Sequence, residues 1–275
     1  MSRGRSRAAQ AGLPPVLLGV GGVHAAALAG VLAWPGAWPW ALASILLSHG
    51  LITVLSLRPR TRLLGPNLVR LPPAHAARGE VALTIDDGPE PLVTPAVLDL
   101  LDAHGAKASF FCIGERVARH PELAREIVRR GHRVENHSAR HRHDFALLGP
   151  RGYRAELATG QALIQAATGV APSYFRAPAG FRNPWCWPAL RHTGLQLASW
   201  TRRGFDTRER DPARVLRRLG RGLAAGDILL LHDGHGAAGA RADAVILQVL
   251  PALLELLRER SLHAVALPVP PEDLG

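Results

Sequence analysis

The chain has 275 residues, a formal net charge of +11 and two cysteines. This length permits one large domain or two small ones. The positive charge alone is compatible with nucleic-acid binding, but the arginines are scattered and no basic run alternates with aromatic residues. Composition therefore argues against a nucleic-acid-binding protein and favours attraction to an anionic bilayer surface. Cys112 and Cys186 lack CxxC spacing and lie in apolar segments, so we expect buried core residues rather than a disulfide or a metal pair.

Residues 8–57 contain no Asp, Glu, Lys or Arg. About 20 apolar residues suffice to cross a bilayer, so this run predicts two membrane-spanning helices over 15–34 and 38–57. Pro35 and Gly36 interrupt the run, and tryptophans, which favour the membrane–water interface, cluster at this turn at positions 34, 38 and 40. A signal peptide would have a shorter apolar region, of about 7–15 residues. A buried helical hairpin is the other alternative.

Arginines flank both sides of the uncharged run: Arg3, Arg5 and Arg7 precede it, and Arg58, Arg60 and Arg62 follow it. Arginine on both flanks of a hairpin favours a cytoplasmic position for both flanks. The expected location is therefore the cytoplasmic (inner) membrane of a bacterium, with the rest of the chain on the cytoplasmic side. A single long, tilted span would export it instead.

A Pro- and Arg-rich connector at 58–78 precedes a regular alternation of strand and helix patterns. The predicted strands are 81–85, 108–113, 133–136, 174–176, 195–200, 227–231 and 263–267. The predicted helices are 94–104, 121–130, 151–167, 185–192, 212–225 and 245–260. Such alternation implies parallel strands with right-handed crossovers, in an open sheet or in a barrel.

Polar residues follow the carboxyl ends of many of these strands: Asp86, Asp87, His137, Arg176, Asp206 and His232. A parallel barrel gathers such positions around one mouth, whereas an open sheet gathers only those near its switch point. We therefore expect an α/β fold, a distorted parallel (β/α)7-type barrel preceded by an N-terminal transmembrane helical hairpin.

Two adjacent carboxylates, Asp86 and Asp87, are followed about fifty residues later by His137 and His141. One Asp and two His form a ligand set suited to Zn²⁺, Co²⁺ or Fe²⁺. The other Asp then remains beside the metal as a candidate base. A spacing of four places both imidazoles on one face if the segment is helical. Asp-Gly-Pro alone is common turn chemistry and a lone histidine is usually structural, but the combination predicts a metal-assisted hydrolase.

These segments resemble the five short motifs of the polysaccharide deacetylase family, the carbohydrate esterases that share the NodB homology domain. The counterparts occur in the family's order within residues 80–267, at 84–89, 137–141, 176–180, 200–207 and 230–232. The resemblance implies a deacetylase domain, which we expect at 79–275. The uncharged run and the composition after it predict a membrane segment at 1–57 and a connector at 58–78.

The first two motifs imply that Asp86 is the catalytic base and that Asp87, His137 and His141 bind one divalent metal ion, expected to be zinc. The third motif implies that Arg176 pairs with Asp86 and keeps that carboxylate ionised and oriented.

Ala179 stands where the family usually has Tyr, but the family uses the backbone N–H of this position to stabilise the oxyanion, and alanine supplies the same group. In the fifth motif, Leu230 is expected to line the acyl pocket and His232 to protonate the leaving amine.

The fourth motif departs most from the family pattern. The family often has two acids and a tryptophan here; Arg203 replaces the first acid, Asp206 retains the second, and Thr207 replaces the tryptophan. Asp206 is expected to orient the acid histidine, and Phe205 to supply the missing apolar wall of the acyl pocket.

The resemblance thus implies a metal-dependent deacetylase that hydrolyses the N-acetyl group of an amino sugar in a polysaccharide, oligosaccharide or other glycan. The uncharged N-terminal run adds the expectation that this enzyme is membrane-anchored. A deacylase or deformylase of a lipid-linked sugar at the cytoplasmic face is an alternative within the enzyme class. A catalytically silent glycan-binding protein is an alternative outside it. We expect no nucleic-acid partner.

Overall fold

The computed structural model describes residues 13–235 and 244–270, so the predicted cytoplasmic arginines Arg3, Arg5 and Arg7 lie outside the described residues. In the described part the helices are α1 Pro15–Ala33, α2 Trp38–Ser56, α3 Pro73–Ala77, α4 Thr94–Ala103, α5 Gly114–Arg119, α6 Pro121–Arg129, α7 Pro150–Thr168, α8 Cys186–Thr193, α9 Pro212–Gly220 and α10 Val245–Glu259. The strands are β1 Glu80–Asp86, β2 Ala108–Cys112, β3 Arg133–Asn136, β4 Tyr174–Phe175, β5 Gln196–Leu197, β6 Arg202–Arg203, β7 Ile228–His232 and β8 His263–Val265.

All pairings between these strands are parallel, in the order β5-β4-β3-β2-β1-β7-β6, with β8 also paired to β1. Helices cover the sheet, so β1, β2 and β7 are buried and consist mainly of apolar residues. The predicted parallel barrel is confirmed as a curled half-barrel. In the register of the central strands, Asp86 lies beside Phe111 and His232, which places an acid and a histidine at the same level of one sheet edge.

The part of the half-barrel between β5 and β6 differs from the prediction of one strand over 195–200. The connector inserts here: Leu68 bridges Ala198, donates its N–H to the Leu197 carbonyl, and accepts a bond from the Ser199 N–H. The chain then turns, and β6 pairs with β7. Leu68, which is far from this segment in the sequence, thus forms the hydrogen bonds that a continuous strand over 195–200 would form with the next strand of the sheet.

Two helices also differ from the sequence prediction. The Asp211 side chain caps α9 as expected by accepting the N–H groups of Ala213 and Arg214, but the helix ends at Gly220 and not at residue 225. Helix α5 was not predicted, because its six residues carry too few apolar positions to show a period. Cys112 and Cys186 are buried and free, as expected.

The N-terminal helices α1 and α2 form a hairpin around a turn at Pro35–Ala37. Each has 19 residues and is therefore about 28 Å long, close to the thickness of a bilayer core. Of the 19 residues of α1, only Ala27 is buried, and the others are exposed or partly exposed. This exposure argues against the buried hairpin, and the two helices fit either a membrane anchor or a signal sequence.

Candidate active site

The ends of β1 and β3 bring the first two motifs together. Strand β1 ends at Asp86, and the following Asp87 has a left-handed backbone with φ +78° while its N–H donates to the Phe111 carbonyl at 3.1 Å. The N–H of His137, the first residue after β3, donates to the Cys112 carbonyl at 3.0 Å. Both loops are therefore tied to the end of β2, which lies between them, and this fixes the distance between the acids and the histidines.

Three ligand atoms converge at this edge. Oδ1 of Asp87 lies 3.2 Å from Nε2 of His137 and 3.2 Å from Nε2 of His141. This buried oxygen has no hydrogen-bond partner among the described residues, and the three candidate ligand atoms lie within 4.8 Å of one another. Nδ1 of His137 donates to the Arg176 carbonyl at 2.9 Å, which leaves the Nε2 lone pair directed at the triad. The donor set and its unpaired oxygen fit a divalent metal ion.

The loop that carries the two histidines is not helical, so the expected helical face does not explain their convergence. Ser138 and His141 have positive φ angles of 67° and 54°. The Ser138 hydroxyl accepts the His141 N–H at 2.9 Å, and the Asn136 side chain accepts the Ser138 N–H at 2.9 Å. These side-chain bonds, rather than a helical repeat, turn both imidazoles towards Asp87.

The protonation states of the triad suit metal binding. Burial opposes ionisation of Asp87, but the neighbouring His137 and His235 outweigh it and hold the pKa of this carboxyl well below its usual range. Burial lowers the pKa of His141 to about 4, helped by the nearby His137. At neutral pH the carboxylate is therefore anionic and His141 is neutral, as metal coordination requires.

The second acid, Asp86, is held by a buried arginine. Nη1 of Arg176 donates to Oδ1 of Asp86 at 2.6 Å and to the Thr84 hydroxyl at 2.8 Å, and its other nitrogens donate to the carbonyls of Ala198 and Ser199. The Arg176 side chain is fully buried. Oδ2 of Asp86 lies 3.8 Å from Nε2 of His137 and therefore faces the triad. The arginine thus occupies one oxygen of the carboxylate and leaves the other for chemistry.

The remaining histidine, His232, ends β7 and is bound to Asp206 in two ways. Its Nδ1–H donates to one carboxylate oxygen of Asp206 at 2.9 Å, and its backbone N–H donates to the other at 2.7 Å. Burial lowers the pKa of His232, but Asp206, Asp87 and Asp86 outweigh it and raise this pKa to about 9. His232 is therefore protonated at neutral pH and can act as an acid.

The three residues expected at the oxyanion and the acyl pocket lie near these groups. Ala179 has φ +53°, and its N–H makes no hydrogen bond to the described residues. Leu230 is buried in a cluster that includes Trp200 and Phe111. Phe205 is half exposed and lines a cleft together with Ala179 and Trp200.

Four residues that contact the site were not singled out from the sequence: His235, Arg116, Thr94 and Asp233. Nδ1 of His235 lies 3.1 Å from Oδ2 of Asp87, and Arg116 donates to the Asp87 carbonyl at 3.0 Å. The Thr94 hydroxyl donates to Asp233 at 2.5 Å. The short spacing of His235 from His232 is a sequence feature that indicates proximity, whereas none indicates Arg116 or Thr94.

A carboxylate paired with a buried arginine and a protonated histidine held by aspartate lie at the same sheet edge as a candidate metal triad. This separation of base and acid defines a metal-dependent hydrolase.

Comparison with known proteins gives the family. The model of the family described as polysaccharide deacetylase matches residues 74–198. A peptidoglycan-N-acetylglucosamine deacetylase of Bacillus cereus is 32% identical over 175 residues, which cover 63% of this chain and 81% of that relative. A chitooligosaccharide deacetylase of Bradyrhizobium sp. is 36% identical over 156 residues, covering 56% and 71%.

Among solved structures, a family 4 carbohydrate esterase from Streptomyces lividans in complex with acetate is 30% identical, with a TM-score of 0.61. The match covers 68% of this chain and 91% of that one. The chain belongs to the polysaccharide deacetylase family. It is therefore a metal-dependent hydrolase of carbon–nitrogen bonds other than peptide bonds.

Proposed function

We propose that this protein is a membrane-anchored deacetylase that removes the N-acetyl group of an amino sugar within a glycan. The observation that carries the proposal is that Asp86, held by Arg176, and His232, held by Asp206, are register partners on adjacent strands at the edge that carries the metal triad. The relatives named for N-acetylglucosamine and for chitooligosaccharides support an N-acetylated glycan as substrate.

The free oxygen of Asp86 takes the proton from the water that attacks the acetyl carbonyl. Arg176 forms a buried ion pair with the other oxygen of this carboxylate at 2.6 Å. The guanidinium is fixed by four acceptors, so the carboxylate keeps its orientation without a further loss of entropy during the reaction.

Asp87, His137 and His141 would hold the metal ion, and their nitrogen and oxygen donors favour zinc, with cobalt or iron also compatible. When bound, a divalent cation would supply Lewis-acid polarisation of the acetyl carbonyl and of water.

The Ala179 N–H donates to the oxyanion of the tetrahedral intermediate. This N–H makes no backbone hydrogen bond to the described residues, so the donor is available when substrate arrives. Leu230 and Phe205 supply apolar contact for the acetyl methyl group.

His232 gives its proton to the nitrogen as the carbon–nitrogen bond breaks, and the products are acetate and a free amine. Asp206 raises the pKa of His232, which keeps the proton available at neutral pH. The same two bonds from Asp206 hold the imidazole in one orientation.

Helices α1 and α2 are the proposed anchor of the protein in the inner membrane of a bacterium. The apolar surface of the hairpin is exposed, with Leu32 and Leu47 each at least 75% accessible, and lipid would cover it. Arg58, Arg60 and Arg62 after the hairpin favour a cytoplasmic position for the deacetylase domain, which we place at 79–275 after a connector at 58–78. Reporter fusions after residue 62 test the side, and resistance of the full-length protein to alkaline extraction from membranes tests the anchor.

Acetate release by the full-length protein in detergent, with N-acetylated chito-oligosaccharides and added Zn²⁺ or Co²⁺, tests the activity. Asp87→Asn should abolish release and lower the bound metal measured by mass spectrometry. The matched control is His104→Ala, which removes an exposed histidine directly after α4 and should retain metal and activity.

A folded protein that binds no metal would overturn the triad. A folded, metal-loaded protein that releases no acid from any acylated amino sugar would instead favour the silent glycan-binding alternative. Against that alternative, Asp86, Asp87, His137, His141, Arg176 and His232 are all present.

A further inference from the structure

A cleft of about 370 Å³ opens beside the active site, a volume within the range of ligand pockets. We call it the arginine groove; its lining includes Arg60, Ala179, Phe181, Trp200, Arg203 and Phe205. Ala179 belongs both to the groove and to the proposed oxyanion position. When the acetyl group of a substrate reaches Ala179, the part of the substrate next to that group therefore extends into this groove.

Two arginines line the groove, and one of them, Arg203, lies on an aromatic surface. The Arg203 guanidinium lies 5.4 Å from the centre of the Trp200 ring and 5.2 Å from that of Phe205, and Nη1 of Arg60 donates to the Thr201 carbonyl at 3.1 Å. Within residues 13–235 and 244–270, neither arginine forms an ion pair with a carboxylate, and the buried Nε of Arg203 has no hydrogen-bond partner. Free guanidinium donors in this arrangement suit an anion with several oxygens.

The charge of the groove is positive. Its lining contains Arg60 and Arg203 and no Asp or Glu among the described residues. A neutral polysaccharide would gain no Coulomb energy from these two cations. An anionic group on the substrate would, because both arginines attract it.

The connector holds Arg60 in place. The carbonyl of the preceding Pro59 accepts three hydrogen bonds, from Asn67 at 2.9 Å, from the buried Arg182 at 3.0 Å and from the Ser199 hydroxyl at 2.7 Å. The groove is therefore largely formed before any ligand binds, which lowers the entropic cost of binding.

The same connector places the groove near the end of the proposed anchor. The carbonyl of Ser56, the last residue of α2, accepts the Arg182 N–H at 3.2 Å. Arg60 follows four residues later, a stretch that spans at most about 14 Å when fully extended. If α2 crosses the bilayer, an anion bound by Arg60 and Arg203 lies at the membrane surface, where the phosphate of a lipid-linked sugar lies.

We infer that the arginine groove binds the phosphate or pyrophosphate that joins a glycan to a membrane lipid, so that the amino sugar is deacetylated while still attached to its carrier. The inference rests on the proposed function, since it names the substrate class of the same active site. It implies that a sugar-phosphate transferase acting on a lipid carrier supplies the substrate.

The test compares acetate release by the full-length protein from three N-acetylated substrates. These are a pyrophosphate-linked polyprenyl N-acetylglucosamine, the soluble N-acetylglucosamine 1-phosphate and a neutral chito-oligosaccharide. For the lipid-linked substrate, Arg60→Gln and Arg203→Gln should each raise KM about tenfold with little change in kcat, because each removes a charge-assisted contact to the anion. Arg203→Lys, which keeps the charge, should recover part of the loss. Arg154→Gln, at an exposed arginine on α7, is the matched control.

The inference also requires that these substitutions raise KM for the neutral substrate at least fivefold less than for the lipid-linked substrate. The enzyme must further prefer the lipid-linked sugar over the soluble phosphate. Equal losses on neutral and lipid-linked substrates would mean that the arginines only shape the groove and would overturn the inference. Equal use of the two phosphorylated substrates would overturn the membrane source. Activity confined to chito-oligosaccharide would sink the inference alone, whereas no acetate from any substrate with metal-loaded protein would sink the proposed function.

Discussion

Replacement of Asp206 by Asn tests the assignment of His232 as the acid. The carboxylate of Asp206 is the largest opponent of the burial that would otherwise lower the pKa of His232, and the balance raises this pKa from 6.5 to about 9. Since one pKa unit corresponds to about 1.4 kcal/mol, Asp206 and its neighbours favour the protonated form by roughly 3 kcal/mol. In Asp206→Asn only Asp87 and Asp86 still oppose the burial, so the pKa of His232 should fall back towards 6.5.

The expected result is a pH-dependent loss of activity. Below pH 6.5 His232 is largely protonated in both proteins, so the ratio of their kcat/KM values should be smallest there. Between pH 6.5 and about 9 only the wild-type histidine keeps its proton, so the ratio should grow towards tenfold per pH unit and reach roughly thirtyfold at pH 8 from protonation alone. A metal ion bound by the triad would affect the wild type and the Asp206→Asn variant alike. The ratio of their kcat/KM values is therefore the quantity to follow as the pH changes.

The assay is acetate release from pH 5.5 to 9.5, with Asp99→Asn, at an exposed carboxylate of α4, as the matched control. The free energy of unfolding of the wild type should also depend on pH through His232. The stabilisation from the raised pKa of His232 is fully present below pH 6.5 and is lost as the pH rises through about 9. A ratio of kcat/KM values that does not change with pH would refute the reasoning and leave Asp206 with a purely structural role.

Two further substitutions test the groups that position the base and the ligands. Arg176→Lys keeps one charge next to Asp86, but a lysine cannot donate to all four acceptors of Arg176. We therefore expect kcat/KM to fall about a hundredfold and the melting temperature to drop. Activity within threefold of wild type would contradict this expectation. A Cβ at Gly160 would lie 2.7 Å from the Asn136 side-chain oxygen that shapes the histidine loop, so Gly160→Ala should weaken zinc binding about tenfold by calorimetry. Gly149→Ala, where a Cβ meets open space, should leave zinc affinity unchanged.

Local sequence patterns were sufficient to predict most of the alternating strands and helices of the fold. Strands β1, β2 and β7 are short apolar runs followed by polar residues, and burial on both faces of a parallel sheet requires such runs. The same regularity located Asp86 and His232 at strand ends. Strand β6 could not be predicted from Arg202 and Arg203, because its pairing depends on where β7 lies and its sequence has no apolar period.

The candidate site likewise has features that the sequence predicted and features that only the structure shows. The residue types and their order determined the chemistry, since two acids, two histidines, an arginine and a final histidine are the groups that a metal-dependent deacetylase needs. The spacing of His137 and His141 suggested a helix, whereas the loop is turned by Ser138 and Asn136. A side-chain hydrogen bond to a backbone N–H has no periodic sequence pattern, so only the folded loop reveals it.

By itself, the sequence established a long uncharged N-terminal segment and predicted a parallel α/β fold and a candidate hydrolase site with separate base, acid and metal ligands. Only the tertiary structure decided that the connector closes the edge of the half-barrel and brings Arg60 to the same cleft as Arg203, 143 positions later in the chain. The physical reason is that periodicity and motifs record interactions between residues close in sequence, whereas a binding cleft is made by contacts between distant segments that exist only after the chain has folded.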